Sequence, residues 1–287
     1  MTEPQTVIIK TASGLQVVGN QWRGGDPTVA PVVLAHGGGQ TRHAWGSTAR
    51  ALAAMGHRVL TIDLRGHGDS DWAPDGDYSV ERFVDDAESV LDWIGRPVVW
   101  VGASLGGMTG LILSTRRVDD VAALILVDIT PRPRPDGVER ILAFMSGDVE
   151  RGFASLEEAA DAVAAYQPHR PRPDDLSGLA KNLRRGDDGR WRWHWDPAFL
   201  DIRRGTDMAD IPGFNPAEKA ARELTLPTLL VRGRLSDLVT EAEAREFLAM
   251  VPHAEYLDVV GAGHMVAGDR NDVFTHAVTR FVAKLDG

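Results

Sequence analysis

The chain has 287 residues, 43% hydrophobic and 25% charged, enough for a sizeable core in one α/β domain with an insertion, or at most two domains. With 41 acidic against 31 basic residues the net charge is −10, the wrong sign for a general phosphate-backbone binder, so no nucleic-acid partner is expected. No run approaches about 18 uncharged apolar residues, which excludes a spanning helix and makes a membrane partner unexpected.

Zero cysteines exclude disulfides, thiolate metal sites and a cysteine nucleophile together. The opening MTEPQTVIIK lacks a basic start and a continuous apolar stretch, so a cytoplasmic location is expected. Only four lysines (positions 10, 181, 219 and 284) stand among the 31 basic residues. The rest are arginine, an excess that reads first as coding bias and second as anion recognition, since guanidinium pairs carboxylates in a bidentate way.

In chain order, Gln5–Lys10 and Leu15–Trp22 read as a hairpin through Ser13–Gly14. Pro31–His36, Arg58–Asp63, Pro97–Gly102 and Val121–Asp128 are short, almost continuously apolar runs, the pattern of strands covered on both faces by helices. Between them, Val80, Phe83, Val84, Ala87, Val90, Leu91 and Ile94 recur at helical spacing. Strand Thr228–Arg232, helix Glu241–Met250, strand Ala254–Val260 and a helix near Val273–Leu285 complete a βα alternation around a mostly parallel sheet. The interval 131–215 breaks this rhythm. It is rich in Pro, Arg and Trp, carries helical patches at Glu139–Met145 and Leu156–Tyr166, and reads as a mostly helical insertion. The core is then 1–130 plus 216–287. Trp191, Trp193 and Trp195 alternate with Arg192 and His194, which places the three indoles on one face of an extended segment.

Gly102-Ala103-Ser104-Leu105-Gly106 is a G-x-S-x-G pattern between a buried strand and a helix expected over Leu105–Arg117. So tight a strand-to-helix turn strains the central residue and lifts the Ser104 hydroxyl above the sheet edge. A hydroxyl needs a base in contact and an acid that orients the base. His264 sits on a glycine-flanked loop after the last strand, and Asp237 on the loop after the strand before it. Open α/β sheets bind ligands at these carboxyl ends, so Ser104, Asp237 and His264 are the expected catalytic residues.

With His36–Gly39 (HGGG) after the third strand, the Asp63–Ser70 turn (D-x-R-G-H-G-x-S), the serine elbow and the two loops in order, the whole chain resembles the α/β-hydrolase fold family. The resemblance implies a mostly parallel eight-stranded sheet with helices on both faces and a helical cap over 131–215. It implies an oxyanion hole from the amides of Leu105 and Gly38, with His36 bracing that loop and Asp63, Arg65 and His67 forming a hydrogen-bonded turn. Some members carry the acid at the end of the sixth strand; Asp128 is therefore the second candidate, behind Asp237.

The expected reaction is cleavage of a small carboxylic ester through an acyl-enzyme. Lactone hydrolysis needs the same machinery. Carbon–carbon hydrolases of the family show Asn where Ala103 stands, peroxide-using relatives share the triad, and non-catalytic receptors on this fold form a different class. The nine histidines include no H-E-x-x-H, and neither a dinucleotide fingerprint nor a P-loop occurs, so no metal and no cofactor is expected. The expected oligomeric state is a monomer or homodimer. Arg42 and His43, on the loop after HGGG, and Trp193 and His194 in the insertion are the expected substrate-binding residues, with Arg42 or a cap arginine reading a substrate carboxylate.

Overall fold

The computed structural model describes residues 3–167, 172, 174–205, 215–265 and 271–286. Parts of the expected cap, including most of the PHRPRP stretch, lie outside the described residues.

The apolar runs form strands that differ from their expected bounds by a residue or two. β1 (Gln5–Lys10) and β2 (Gln16–Trp22) form the hairpin; β3 (Val32–Ala35), β4 (Val59–Ile62), β5 (Val98–Ala103) and β6 (Val121–Val127) follow. Helices α1 (Gly46–Ala54), α2 (Val80–Ile94) and α3 (Leu105–Arg116) alternate with them. Strand β3 stops at Ala35 because the backbone leaves the ladder there to begin the glycine loop.

The insertion contributes α4 (Pro135–Ser146), α5 (Leu156–Tyr166), a one-turn α6 (Ser177–Ala180) and a 3-10 stretch over Pro197–Gly205. It also carries an antiparallel ribbon of β7 (Leu183–Arg185) and β8 (Trp191–Trp193). The chain returns through α7 (Pro216–Glu223), β9 (Thr228–Gly233), α8 (Glu241–Met250), β10 (Glu255–Val259) and α9 (Thr275–Leu285).

Among the described residues eight strands form one sheet in the order β1-β2-β4-β3-β5-β6-β9-β10. Only β1–β2 and β2–β4 pair antiparallel; every other neighbour is parallel. Strands β3 to β5 are buried along their whole length because helices cover both faces, which is why these segments show no polar alternation. One core packs α1 and α9 against the sheet around Trp45, Leu52 and Phe281; the other packs α2, α3, α7 and α8 around Phe83, Trp100 and Phe247. The chain passes from β3 to β4 on one side and returns to β5 on the other, so the switch of direction falls between β3 and β5. The crevice at such a switch is where open α/β sheets take ligands. No described helix is long and apolar enough to cross a membrane.

Candidate active site

The tight join between β5 and α3 builds the site from its backbone. A Cβ at Gly102 would stand 2.2 Å from the Gly106 carbonyl oxygen, and one at Gly106 would stand 2.6 Å from the Ala35 carbonyl oxygen. Only hydrogen fits in either place, so helix and strands approach closely enough to bend the chain sharply at the residue between. That residue, Ser104, has φ 45° and ψ −113°, a conformation side-chain-bearing residues adopt only when the surroundings impose it. It lines a cavity of about 190 Å³ together with Gly38, Leu105 and His264.

The loop after β3 supplies the opposite wall. Gly37 N–H donates to Gln40 Oε1 at 3.0 Å and Gly39 N–H to His67 Nε2 at 3.1 Å. Gly38 lies between them, at the cavity. None of the hydrogen bonds among the described residues uses the amide of Gly38 or of Leu105. The amide of Leu105 opens α3, where first-turn N–H groups have no intrahelical acceptor. Both amides of the expected oxyanion hole thus border the space beside Ser104.

Two buried histidines of the core brace this loop, each by accepting on one ring nitrogen and donating from the other. His36 Nε2 accepts from Leu64 N–H at 3.0 Å and Nδ1 donates to the Gly37 carbonyl at 2.7 Å. His67 Nδ1 donates to the Arg65 carbonyl at 2.9 Å while Nε2 holds Gly39. Burial disfavours the charged ring most, with Arg42 adding to it at His36 and the neighbouring His36 ring adding to it at His67: His36 is pushed down to about 4 and His67 to about 3. Asp63 accepts from Arg42 N–H at 2.6 Å and from Asp69 N–H at 2.9 Å, and Arg65 forks onto Asp86 at 2.7 and 2.8 Å.

The acid is where the structure departs from expectation. His264 Nδ1 donates to Asp128 Oδ2 at 2.8 Å. Asp128 follows directly on β6 with φ 52° and is 3% exposed; Ser236 Oγ donates to its Oδ2 at 2.7 Å and Gly233 N–H to its Oδ1 at 3.0 Å. Asp237, the first candidate, turns away from His264: its carboxylate accepts from Arg140 Nη1 at 2.9 Å, half-exposed at the surface. The cause is Ser236, whose hydroxyl accepts from Leu238 and Val239 N–H and so coils the loop inward at 236, leaving 237 outside. Asp128 therefore replaces Asp237 as the partner of His264. Ser236 went unnoticed in the sequence, where nothing separates it from any other loop serine.

The four expected substrate contacts also stand elsewhere. Arg42 is buried, ion-paired to Asp63 and to Asp69 at 2.8 Å, with Nε on Asn20 Oδ1 at 3.2 Å. It lines, with His43, a separate polar cavity of about 330 Å³ that also contains Lys181 and Asn182. Burial, then the Arg42 charge, lowers the His43 pKa. Trp193 stacks on Trp195 with centroids 4.9 Å apart and meets Phe153 edge-on, a contact internal to the insertion. Trp191, Trp193 and Trp195 do alternate with His194, which points the other way, into the core turn, where Gly68 N–H donates to its Nδ1 at 2.7 Å. None of the four borders the cavity beside Ser104.

That cavity is lined instead by α4 and its neighbours. Val138, Ile141, Leu142 and Met145 form an i, i+3, i+4, i+7 stripe, joined by Met108, Ile129, Phe199 and Leu238. The stripe is present in the sequence and was the signal that could have located the pocket. Arginines of the insertion spend their charge on structure: Arg132 on Glu218, Arg140 on Asp237, Arg184 on Asp69 and Arg192 on Asp188. Among the described residues no three or more His, Asp or Glu gather where a metal ion would sit.

An α/β hydrolase fold family model matches residues 30–270. The chain belongs to the α/β hydrolase fold family. A curated relative of this hydrolase, the esterase Rv0045c of Mycobacterium tuberculosis, is 33% identical over 258 residues, covering 87% of this chain and 80% of that one. The 3-hydroxybutyrate-oligomer hydrolase of Cupriavidus necator is 30% identical over 255 residues, covering 85% of each. Among solved structures, an α/β hydrolase from Novosphingobium aromaticivorans superposes with a TM-score of 0.82 at 26% identity over 99% of both chains.

Proposed function

We propose that this α/β hydrolase cleaves small, uncharged carboxylic esters by a Ser104–His264–Asp128 acyl-enzyme mechanism. The observation that carries the reading is the 2.8 Å bond from His264 Nδ1 to buried Asp128, beside the cavity that holds strained Ser104. With Nδ1 committed as a donor, the neutral imidazole presents Nε2 as an acceptor, the tautomer a general base needs.

In the mechanism, His264 Nε2 takes the Ser104 proton as Oγ bonds to the ester carbonyl carbon. The carbonyl oxygen becomes an oxyanion held by the Gly38 and Leu105 amides, and two such donors contribute roughly 3–7 kcal/mol to the transition state. His264 returns the proton to the departing alkoxide, giving an alcohol and an acyl-Ser104. Water then yields its proton to His264, attacks the acyl carbon, and leaves the carboxylic acid as Ser104 Oγ recovers the proton. Asp128 stays ionised throughout and stabilises the transient imidazolium. The segment 131–215 acts as the cap, with the α4 stripe as the apolar wall for the ester's carbon chain. Names among the relatives, an esterase and an oligoester hydrolase, are consistent with this bond type.

The wall also decides charge preference. Among the described residues His264 is the one ionisable side chain lining the cavity. A substrate carboxylate seated among Ile141, Leu142 and Phe199 would lose water without gaining a cation, which costs several kcal/mol. A panel of p-nitrophenyl esters should show highest kcat/KM for short acyl chains, acetyl to hexanoyl, and a steep fall for longer ones. Dicarboxylic half-esters should be slower than the matching neutral esters by about tenfold or more. Half-esters that match or exceed the neutral esters would restore an arginine-read carboxylate, and a panel with no turnover sensitive to Ser104→Ala would overturn the reaction class.

A further inference from the structure

The glycine loop is gripped from two sides, and only one grip belongs to the core. Gly39, at φ 76°, donates its N–H to His67 and accepts at its carbonyl, 3.3 Å away, from Nε2–H of His194, a residue of the insertion. His194 is 2% exposed and sits 5.7 Å from the His67 ring, centroid to centroid. Its other nitrogen, Nδ1, accepts from Gly68 N–H at 2.7 Å. Both ring nitrogens are therefore assigned: Nδ1 ties the insertion to the core turn, and Nε2–H ties it to the loop.

The same stretch of the insertion is anchored firmly enough for that contact to be directional. Asp196 N–H donates to the Gly66 carbonyl at 2.9 Å, Tyr78 Oη to Asp196 Oδ2 at 2.5 Å, and Arg184 Nη2 to Asp69 Oδ1 at 2.7 Å. Trp195 packs on the loop as well, since a Cβ at Gly39 would meet its ring at 3.4 Å. The insertion is thus fixed to the core beside Gly39 before His194 reaches it.

We propose that His194 is a positioning residue: by holding the Gly39 carbonyl it fixes the Gly39–Gln40 peptide, while His67 holds the Gly38–Gly39 peptide by its N–H, and the two grips together aim the Gly38 amide at the developing oxyanion. The cap then completes the oxyanion hole as well as covering it. This rests on the ester-hydrolysis reading above and adds a role to a residue expected to touch substrate. Glycines on both sides leave the loop free to rotate unless something outside it holds it, which is the physical need that His194 meets.

Asparagine and glutamine separate the two bonds. Asn Oδ1 occupies the place of Nδ1, so His194→Asn keeps the acceptor for Gly68 N–H and loses the donor to Gly39. Gln Nε2 reaches the place of the ring Nε2, so His194→Gln keeps the donor to Gly39 and loses the acceptor. With a short p-nitrophenyl ester and the full chain, kcat should fall about tenfold to a hundredfold in His194→Asn, with KM within about threefold of wild type. His194→Gln should hold kcat within about threefold of wild type. The order of the two kcat values must not follow the order of their melting temperatures. Equal kcat in both variants, the reverse order, or losses confined to KM would overturn the proposal and leave His194 as glue between cap and core.

A second measurement needs no variant to fold. In wild type carrying a boronic acid on Ser104, the His194 Nε2–H proton resonance should move, because the loop it holds now binds an oxyanion; an unmoved resonance would also overturn the proposal. Wild type that neither turns over the ester nor takes up the boronic acid would remove the ester-hydrolase reading, and this inference with it.

Discussion

Asp128→Asn should lower kcat by about 10⁴-fold, while Asp237→Asn should leave it within about threefold of wild type. In the first variant the amide can keep its oxygen on Gly233 N–H, which turns its NH₂ toward Ser236 Oγ and His264 Nδ1. Two donors cannot face each other, so His264 moves its proton to Nε2, and the nitrogen that should take the Ser104 proton already carries one. Ser236 can rotate its hydroxyl to suit, so the fold survives and the loss lies in chemistry. In the second variant a half-exposed ion pair with Arg140 is weakened, and exposed pairs contribute only about 0–1 kcal/mol. Steady-state kinetics of the two proteins, each with its melting temperature, decide the matter; loss of turnover in Asp237→Asn with Asp128→Asn intact would return the acid to the loop after β9.

Acid should destabilise this protein steeply. His36 and His67 are buried and neutral, held down to about 4 and about 3 chiefly by burial, whereas the unfolded rings titrate near the ordinary 6.5. From pH 6.5 downward the unfolded chain therefore binds protons that the native state refuses. Stability is complete above 6.5 and is lost as the pH falls toward 4 for His36 and toward 3 for His67. Each ring contributes about 1.4 kcal/mol per pH unit, so these two alone remove on the order of 5 kcal/mol between pH 6.5 and 4.5. His194 has the same sign, its pKa lowered first by burial and then by the neighbouring histidines. Urea unfolding at pH 7.0, 6.0, 5.0 and 4.5 would measure the slope. A change below about 2 kcal/mol over that range would mean that these rings are not held neutral in the fold.

How much of this was legible in the sequence depends on how local each feature is. Strands such as VVWVGA show in composition because both faces are covered, and Ser104 shows because only small residues at 102 and 106 allow so sharp a turn. His264 and the glycine loop follow from their places at strand ends. The choice between Asp128 and Asp237 did not. Both are single carboxylates after buried strands, and what decides between them is Ser236 coiling a loop across a gap of 108 residues in sequence. A sharper reading was available: Asp128 ends an apolar run, VAALILVD, and a carboxylate so placed is buried unless the chain turns at once.

The excess of arginine misled for a related reason. Guanidinium groups dense in 131–215 suggested a carboxylated substrate, yet Arg132, Arg140, Arg184 and Arg192 pair with the protein's own Asp and Glu, and Arg185 and Arg190 hold backbone carbonyls, a partner set that sequence cannot assign. The tryptophan alternation was right about the face and wrong about its audience. Trp193 and Trp195 stack on each other, and the residue between them, His194, carries the contact with the catalytic core.

In the proposed mechanism Ser104 is a nucleophile activated through His264 and Asp128. Treating the folded chain with a fluorophosphonate and mapping the adduct by peptide mass spectrometry tests this directly. The adduct should fall on the peptide containing Ser104 alone, forming slowly in Asp128→Asn and at the wild-type rate in Asp237→Asn. No adduct on Ser104 in folded protein, or an adduct formed equally fast without Asp128, would contradict it.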